Sequence, residues 1–254
     1  MNRRGLIAAL IIAAMTGVCF ALYPELDLKI SALFHGPDGF AASEDPILVI
    51  LRDVCMIIVG LLLAPAIAAP LVKLIRPEYR MFVPGRVVVF LLVTIIVGPL
   101  LAANMGLKEY WARPRPRDVI AFGGTEKFLP WWDPRGACPA NCSFIAGEPA
   151  GAFWTIAPAA LAPPQWRAVA YAGALAFGTT VGVMRLSFGG HFFTDVVFAG
   201  TVMFVIIWLV HGFIYRWPRT RFSDAAIEDR LGRLGFALRR PFRGSPRMDA
   251  GPQS

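Results

Sequence analysis

Residues 87–117 read VVVFLLVTIIVGPLLAANMGLKEYWARPRPR. The first part, about 87–107, carries no charge and is long enough to cross a hydrocarbon core of about 30 Å, which takes roughly 20 residues of helix. The second part gathers Lys108, Arg113, Arg115 and Arg117 directly at its end. The stretch therefore reads as a membrane span that stops in a cluster of cations. Pro99 falls inside it, which membrane helices tolerate when neighbours re-satisfy the freed carbonyl.

Five more stretches have the same character: about 5–23, 54–72, 143–162 (interrupted by Glu148), 168–184 and 196–214. Pro65 and Pro158 lie inside two of them. The composition agrees: 56% of the 254 residues are hydrophobic and only 17% charged, with a mean hydropathy of +0.57. Soluble domains run at about 45–50% and 25%. Disorder is excluded, because it needs low hydrophobicity and high charge. Four cysteines are too few for a disulfide scaffold. The expectation is an all-α integral membrane protein, a six-transmembrane-helix bundle over 1–215 followed by a basic tail, 216–254. The first span follows Arg3 and Arg4, as a signal peptide would, but no good small-x-small site follows, so it reads as an uncleaved helix.

The net charge of +8 is sided. The N-terminus, the 73–86 segment, Arg167 and the tail together carry +11, and everything else carries −3. Alternate crossings put the +11 set on one side, which the positive-inside rule makes cytoplasmic. Both termini are then inside, and 24–53, 108–142 and 185–195 face outward. A nucleic-acid partner is disfavoured, since the basic excess hugs the membrane on the side away from the charged clusters at the helix ends. In the tail, 223–240 has Ser223 as an N-cap and Ile227, Leu231, Leu234 and Leu238 at helical spacing, with Arg230, Arg233, Arg239 and Arg240 as cations. Two readings stand: an amphipathic helix on anionic lipid, or a solvated tail.

Ionisable groups near membrane depth are costly and point to function. Lys108 and Arg115 end the third span, Glu148 sits in the fourth, Arg185 ends the fifth, and His191 and Asp195 open the sixth. In a bundle they form one layer at the outward face. On a helix, His191 and Asp195 share a face. A carboxylate on one imidazole nitrogen would leave the other free as a nucleophile. Arg suits multidentate phosphate recognition. Three cations about a nucleophilic His suit phosphoryl transfer, in which positioning and charge stabilisation do most of the catalysis.

These residues resemble the signatures of the type 2 phosphatidic acid phosphatase superfamily. Lys108-x6-Arg115-Pro116 is similar to its first motif, and Arg185-x5-His191-x3-Asp195 to its third. The resemblance implies phosphatase or phosphotransferase chemistry without metal or other cofactor. His191 would become a phosphohistidine, Asp195 would orient it, and Lys108, Arg115 and Arg185 would hold the phosphate. The second motif departs. Where the family has Pro-Ser-Gly-His, this chain has Ile145-Ala146-Gly147-Glu148. Gly147 is kept, so backbone amides there can still meet phosphate. Glu148 stands in the place of the general acid, and either takes that role or only pairs with Arg115 or Arg185.

The 117–142 segment joins the two halves of the site. Phe122, Phe128, Leu129, Trp131 and Trp132 could dip into the interface to guide lipid, or simply anchor the loop. Lys127 and Arg135 could meet further phosphates. Cys138 and Cys142 are close enough to pair; no further ligands suggest zinc. Cys19 and Cys55 read as packing residues. Within the superfamily, the Cys-rich loop before Asn-Cys-Ser-Phe and Gly-Glu is most similar to bacterial lipid A phosphatases. That implies a lipid phosphate substrate at the periplasmic face of the bacterial inner membrane. The alternatives are an undecaprenyl diphosphate phosphatase or lipid phosphotransferase, and a non-catalytic lipid-phosphate binder.

Overall fold

The computed structural model describes residues 1–217 and 223–239. Arg240, expected in the tail helix, lies outside the described residues. Helix α1 (Arg3–Leu22) starts at Asn2, whose side chain accepts from the Gly5 amide. A short helix, α2 (Glu25–Ala32), follows directly after it. Helix α3 (Pro46–Ile75) begins earlier than the apolar pattern, because Asp45 caps it and Pro46 occupies its first turn.

The third span is three pieces on one axis: α4 (Gly85–Ile95), a π-helical stretch (Ile96–Leu107) and α5 (Lys108–Trp111). Pro99 lies in the π stretch. It lacks an N–H and crowds the preceding turn, which favours the wider winding. Asn104 donates from Nδ2 to the Pro99 carbonyl, 2.7 Å away. Helix α8 (Arg167–Ser187) and α9 (Phe193–His211) complete the ring, and a π turn (Gly212–Arg216) extends α9.

Among the described residues five helices are long and apolar enough to cross a membrane. The stretch expected as the fourth span, 143–162, differs. It forms two short helices, α6 (Gly147–Phe153) and α7 (Ile156–Ala160), with a break at Trp154 and Thr155. The Thr155 hydroxyl donates back to the Ala152 carbonyl, a local bond that competes with the helix ladder. This pillar is almost wholly buried: Trp154, Ala150, Ala152 and Ala157 have no exposed surface. Its Ala and Gly residues let α8 and α9 approach closely. Trp154 Nε1 donates to Thr94 Oγ1 (2.9 Å), which satisfies the indole in an apolar core.

The tail helix α10 (Asp224–Arg239) is docked rather than free. Ser223 Oγ accepts from the Ala226 amide, as an N-cap should. Asp224 takes the Arg86 amide at 2.8 Å, and Glu228 takes the Met81 amide at 2.9 Å and Lys73 Nζ at 3.4 Å. The helix therefore straps the turn between α3 and α4. Ile227 packs against Gly85, while Leu234, Phe236 and Leu238 stay exposed.

Candidate active site

Lys108, Arg115, Gly147, Glu148, Arg185 and His191 line one cavity of about 480 Å³. The cavity sits where the third span, the pillar, α8 and α9 meet. Arg52, Met56, Asn104, Arg117 and Asn141 also line it. Five cations thus face a single carboxylate, Glu148. Such a bowl suits a polyanion.

Gly189 and Gly190 form the short link from α8 to His191. Gly189 has φ +59°, the left-handed region in which a side chain is strained, and its missing Cβ also leaves room for Phe40. A Cβ on Gly190 would lie 2.6 Å from an Arg185 guanidinium nitrogen. Helix α9 starts at Phe193, so His191 lies before the helix and not on its first turn.

His191 is 1% exposed, and its Nδ1 lies 2.8 Å from the Ser143 carbonyl. A carbonyl only accepts, so Nδ1 carries the proton and Nε2 keeps its lone pair. Burial first, then the positive charges of Arg185, Arg115 and Lys108, push the imidazole well below its usual range. The ring is neutral at pH 7.

Asp195 is not the hydrogen-bond partner of that ring, contrary to the expectation from spacing. Its Oδ2 is 3.9 Å from Nδ1. It takes the Phe192 amide (2.8 Å) and the Ser143 hydroxyl instead, and its Oδ1 pairs with Arg113. Because His191 precedes the helix, the shared-face rule does not reach it. Asp195 is linked to the ring through Ser143, whose hydroxyl donates to it and whose carbonyl accepts from the ring.

Arg115 donates from Nε and a terminal nitrogen to the Asn141 carbonyl, at 3.0 and 2.6 Å. Cys138 and Cys142 form a disulfide that braces this segment. Glu148 Oε2 lies 2.7 Å from Arg185 Nε, and Oε1 lies 3.9 Å from Arg52 Nε. The Arg185 contact is a close ion pair without hydrogen-bond alignment. A Cβ on Gly147 would come within 2.5 Å of Asn104 Oδ1, so only glycine lets the pillar end meet the π stretch here.

The loop aromatics mostly pack inward. Trp131 packs at a tilt against Phe198 and donates to the Gly17 carbonyl, Phe128 meets Phe192, and Phe122 meets His35 and Phe40. Trp132 is exposed. Arg135 pairs with Asp133, whose carboxyl it holds down at about 2.

The PAP2 superfamily model matches residues 87–220, more than half of the chain. The chain belongs to the PAP2 superfamily. A lipid A 4'-phosphatase of Francisella tularensis subsp. novicida is 31% identical to this PAP2 protein over 226 residues, which is 85% of this chain and 98% of the relative. A lipid A 4'-phosphatase of Rhizobium leguminosarum is 40% identical over 104 residues, 41% of this chain and 45% of the relative. One of Rhizobium etli is 38% identical over 102 residues, 40% of each chain. No solved structure matches the chain. With its apolar helices, this PAP2 protein is an integral membrane phosphatase.

Proposed function

We propose that this protein removes a phosphate from lipid A, or a closely related lipid phosphate, at the periplasmic face of the bacterial inner membrane. The observation that carries the chemistry is the tethered ring of His191. Its Nδ1–H is spent on Ser143, and its neutral Nε2 belongs to a residue lining a cavity rich in cations. The substrate assignment leans on the three lipid A 4'-phosphatase relatives.

Lys108, Arg115 and Arg185 bind the phosphate oxygens, and Gly147 lets backbone approach them. Nε2 attacks phosphorus, forming the P–N bond as the P–O bond to the lipid breaks. The lipid phosphate enters as its monoanion and displaces Glu148 from Arg185; Glu148 takes that proton and passes it to the leaving oxygen, which also keeps the bonding pair. Water then attacks phosphorus and breaks the P–N bond, whose pair returns to Nε2; both water protons leave with the phosphate monoanion, and His191 returns to neutrality. The cations stabilise charge on the transferring group throughout. Residues 1–215 form the catalytic membrane domain. Met1, Asn2 and Arg167 line one pocket and α10 straps the 73–86 turn, which gathers basic segments together and supports a cytoplasmic position for the N-terminus and α10.

The test is phosphate release from purified lipid A by wild type and His191→Ala, with mass spectrometry of lipids from a deletion strain. Release by wild type alone, and an added phosphate on lipid A in the deletion strain, are expected. Accumulated undecaprenyl diphosphate would instead make that lipid the substrate. No release from any lipid phosphate would leave a binding protein.

A further inference from the structure

Asp27 belongs to none of the motifs above, yet it is 1% exposed and reaches the site's underside. It sits on α2, and its carboxylate accepts from the Thr194 amide (3.1 Å), the Thr194 hydroxyl (2.6 Å) and Arg113 (2.8 Å). Arg113 has no exposed surface. It also donates from Nε to the Leu129 carbonyl at 2.9 Å, and from its other terminal nitrogen to Thr194 Oγ1 and to Asp195. Its guanidinium lies 4.2 Å from the Phe192 ring centre. Asp195 in turn holds Ser143, and Ser143 holds His191. Every proton in this chain has a fixed direction: Arg113 and Thr194 donate, the two carboxylates accept, Ser143 donates its hydroxyl and accepts at its carbonyl.

Two carboxylates face one guanidinium, so the buried cluster carries one net negative charge. Burying charges is costly, and packed apolar residues commonly hold a fold as well. A second acid here needs a reason beyond packing. The imidazole supplies one. When Nε2 takes the phosphoryl group while Nδ1 keeps its proton, the ring passes from neutral to cationic. We propose that Asp27 and Arg113 are positioning residues for phosphoryl transfer: they hold Asp195 in place and leave one negative charge beside the ring as it becomes positive. This rests on the reading of His191 as the nucleophile.

The discriminating variant is Asp27→Asn in the full-length protein in detergent. It keeps the size and the Thr194 amide bond but removes the charge. Expected is a fall in kcat of about tenfold to a hundredfold, the usual range for residues behind a functional ligand, with KM within twofold. The double variant Asp27→Asn/Arg113→Gln restores the net charge to that of wild type, and its kcat should recover part of the loss. A purely structural role would lower the melting temperature without this recovery. Wild-type kcat in Asp27→Asn, or a double variant no better than the single, would overturn the proposal. If Asp27→Asn does not accumulate, the double variant decides alone: kcat within about a hundredfold of wild type, the floor expected for the single variant, supports the charge argument, and a larger loss refutes it. His191→Ala runs beside these. Activity persisting there would sink the nucleophile reading itself, whereas activity lost there but kept in Asp27→Asn would sink the Asp27 role alone.

Discussion

Replacing Glu148 with Gln separates its two roles by the opposite directions in which kcat and KM move. Glu148 is one-third exposed and pairs with Arg185 at 2.7 Å. A partly exposed ion pair contributes up to about 1 kcal/mol. Removing the carboxylate therefore frees Arg185 for substrate and lowers KM by roughly up to fivefold. A general acid contributes about 10²–10⁴-fold in rate. That contribution matters for an alkyl or sugar phosphate, whose leaving oxygen is strongly basic, and hardly at all for p-nitrophenyl phosphate, which departs as a stable anion. The expected pattern for Glu148→Gln is a kcat loss of at least about a hundredfold on the lipid phosphate and less than about tenfold on the aryl ester, with KM reduced for both. Phosphate release measured at pH 7 with both substrates checks it. Equal losses on the two substrates, or undiminished kcat on the lipid, would refute the acid role and leave Glu148 as a partner of Arg185 only.

Acid should destabilise the fold through His191. Its native value lies below the unfolded value of about 6.5, so below pH 6.5 only the unfolded chain takes that proton, and stability falls by up to about 1.4 kcal/mol per pH unit. The thermal midpoint in detergent between pH 4.5 and 7 should decline more steeply for wild type than for His191→Gln. Gly147→Ala forces a methyl to within 2.5 Å of Asn104 Oδ1; a stability loss of about 1–3 kcal/mol and a rise in KM should appear in melting and rate measurements. Cys138→Ser/Cys142→Ser releases the brace near Asn141, which holds Arg115; KM for the lipid phosphate should rise several-fold with kcat nearly unchanged, and reduction of the wild-type protein should reproduce this.

Lys108, Arg115, Arg185 and His191 were legible because each is a charge stranded at the end of an apolar run, and because the runs are long enough to fix which ends coincide. Glu148 was legible for the same reason. The direct contact of Asp195 with the ring does not follow from the spacing, since the i,i+4 rule holds only inside a helix and α9 starts after His191. Asp195 instead turns back to the Phe192 amide. Arg52 escaped notice because the apolar pattern put the start of the second span at 54, whereas the Asp45 cap extends α3 to include it. Asp27 carries no local signal at all. Its role arises only when α2 packs beneath α9, a long-range event that periodicity does not encode. Hydropathy marks 143–162 as a fourth span, but the stretch folds as two short helices and is not among the five long apolar helices; its Gly, Ala and Pro content suits an enclosed post better than a lipid-facing rod.

That post has a consequence for how the protein meets membranes of different thickness. A bilayer thinner or thicker than a helix is accommodated by tilting that helix, at small cost per ångström. Helices α1 and α3 present most of their surface outward and are free to comply. Gly147 and Glu148 ride on a core element wedged between α8 and α9, so the floor of the cavity is insulated from such tilting. Arg52, on α3, is coupled to it. The same enzyme could then keep its reaction centre constant from one lipid composition to another while the reach of one outer cation varies.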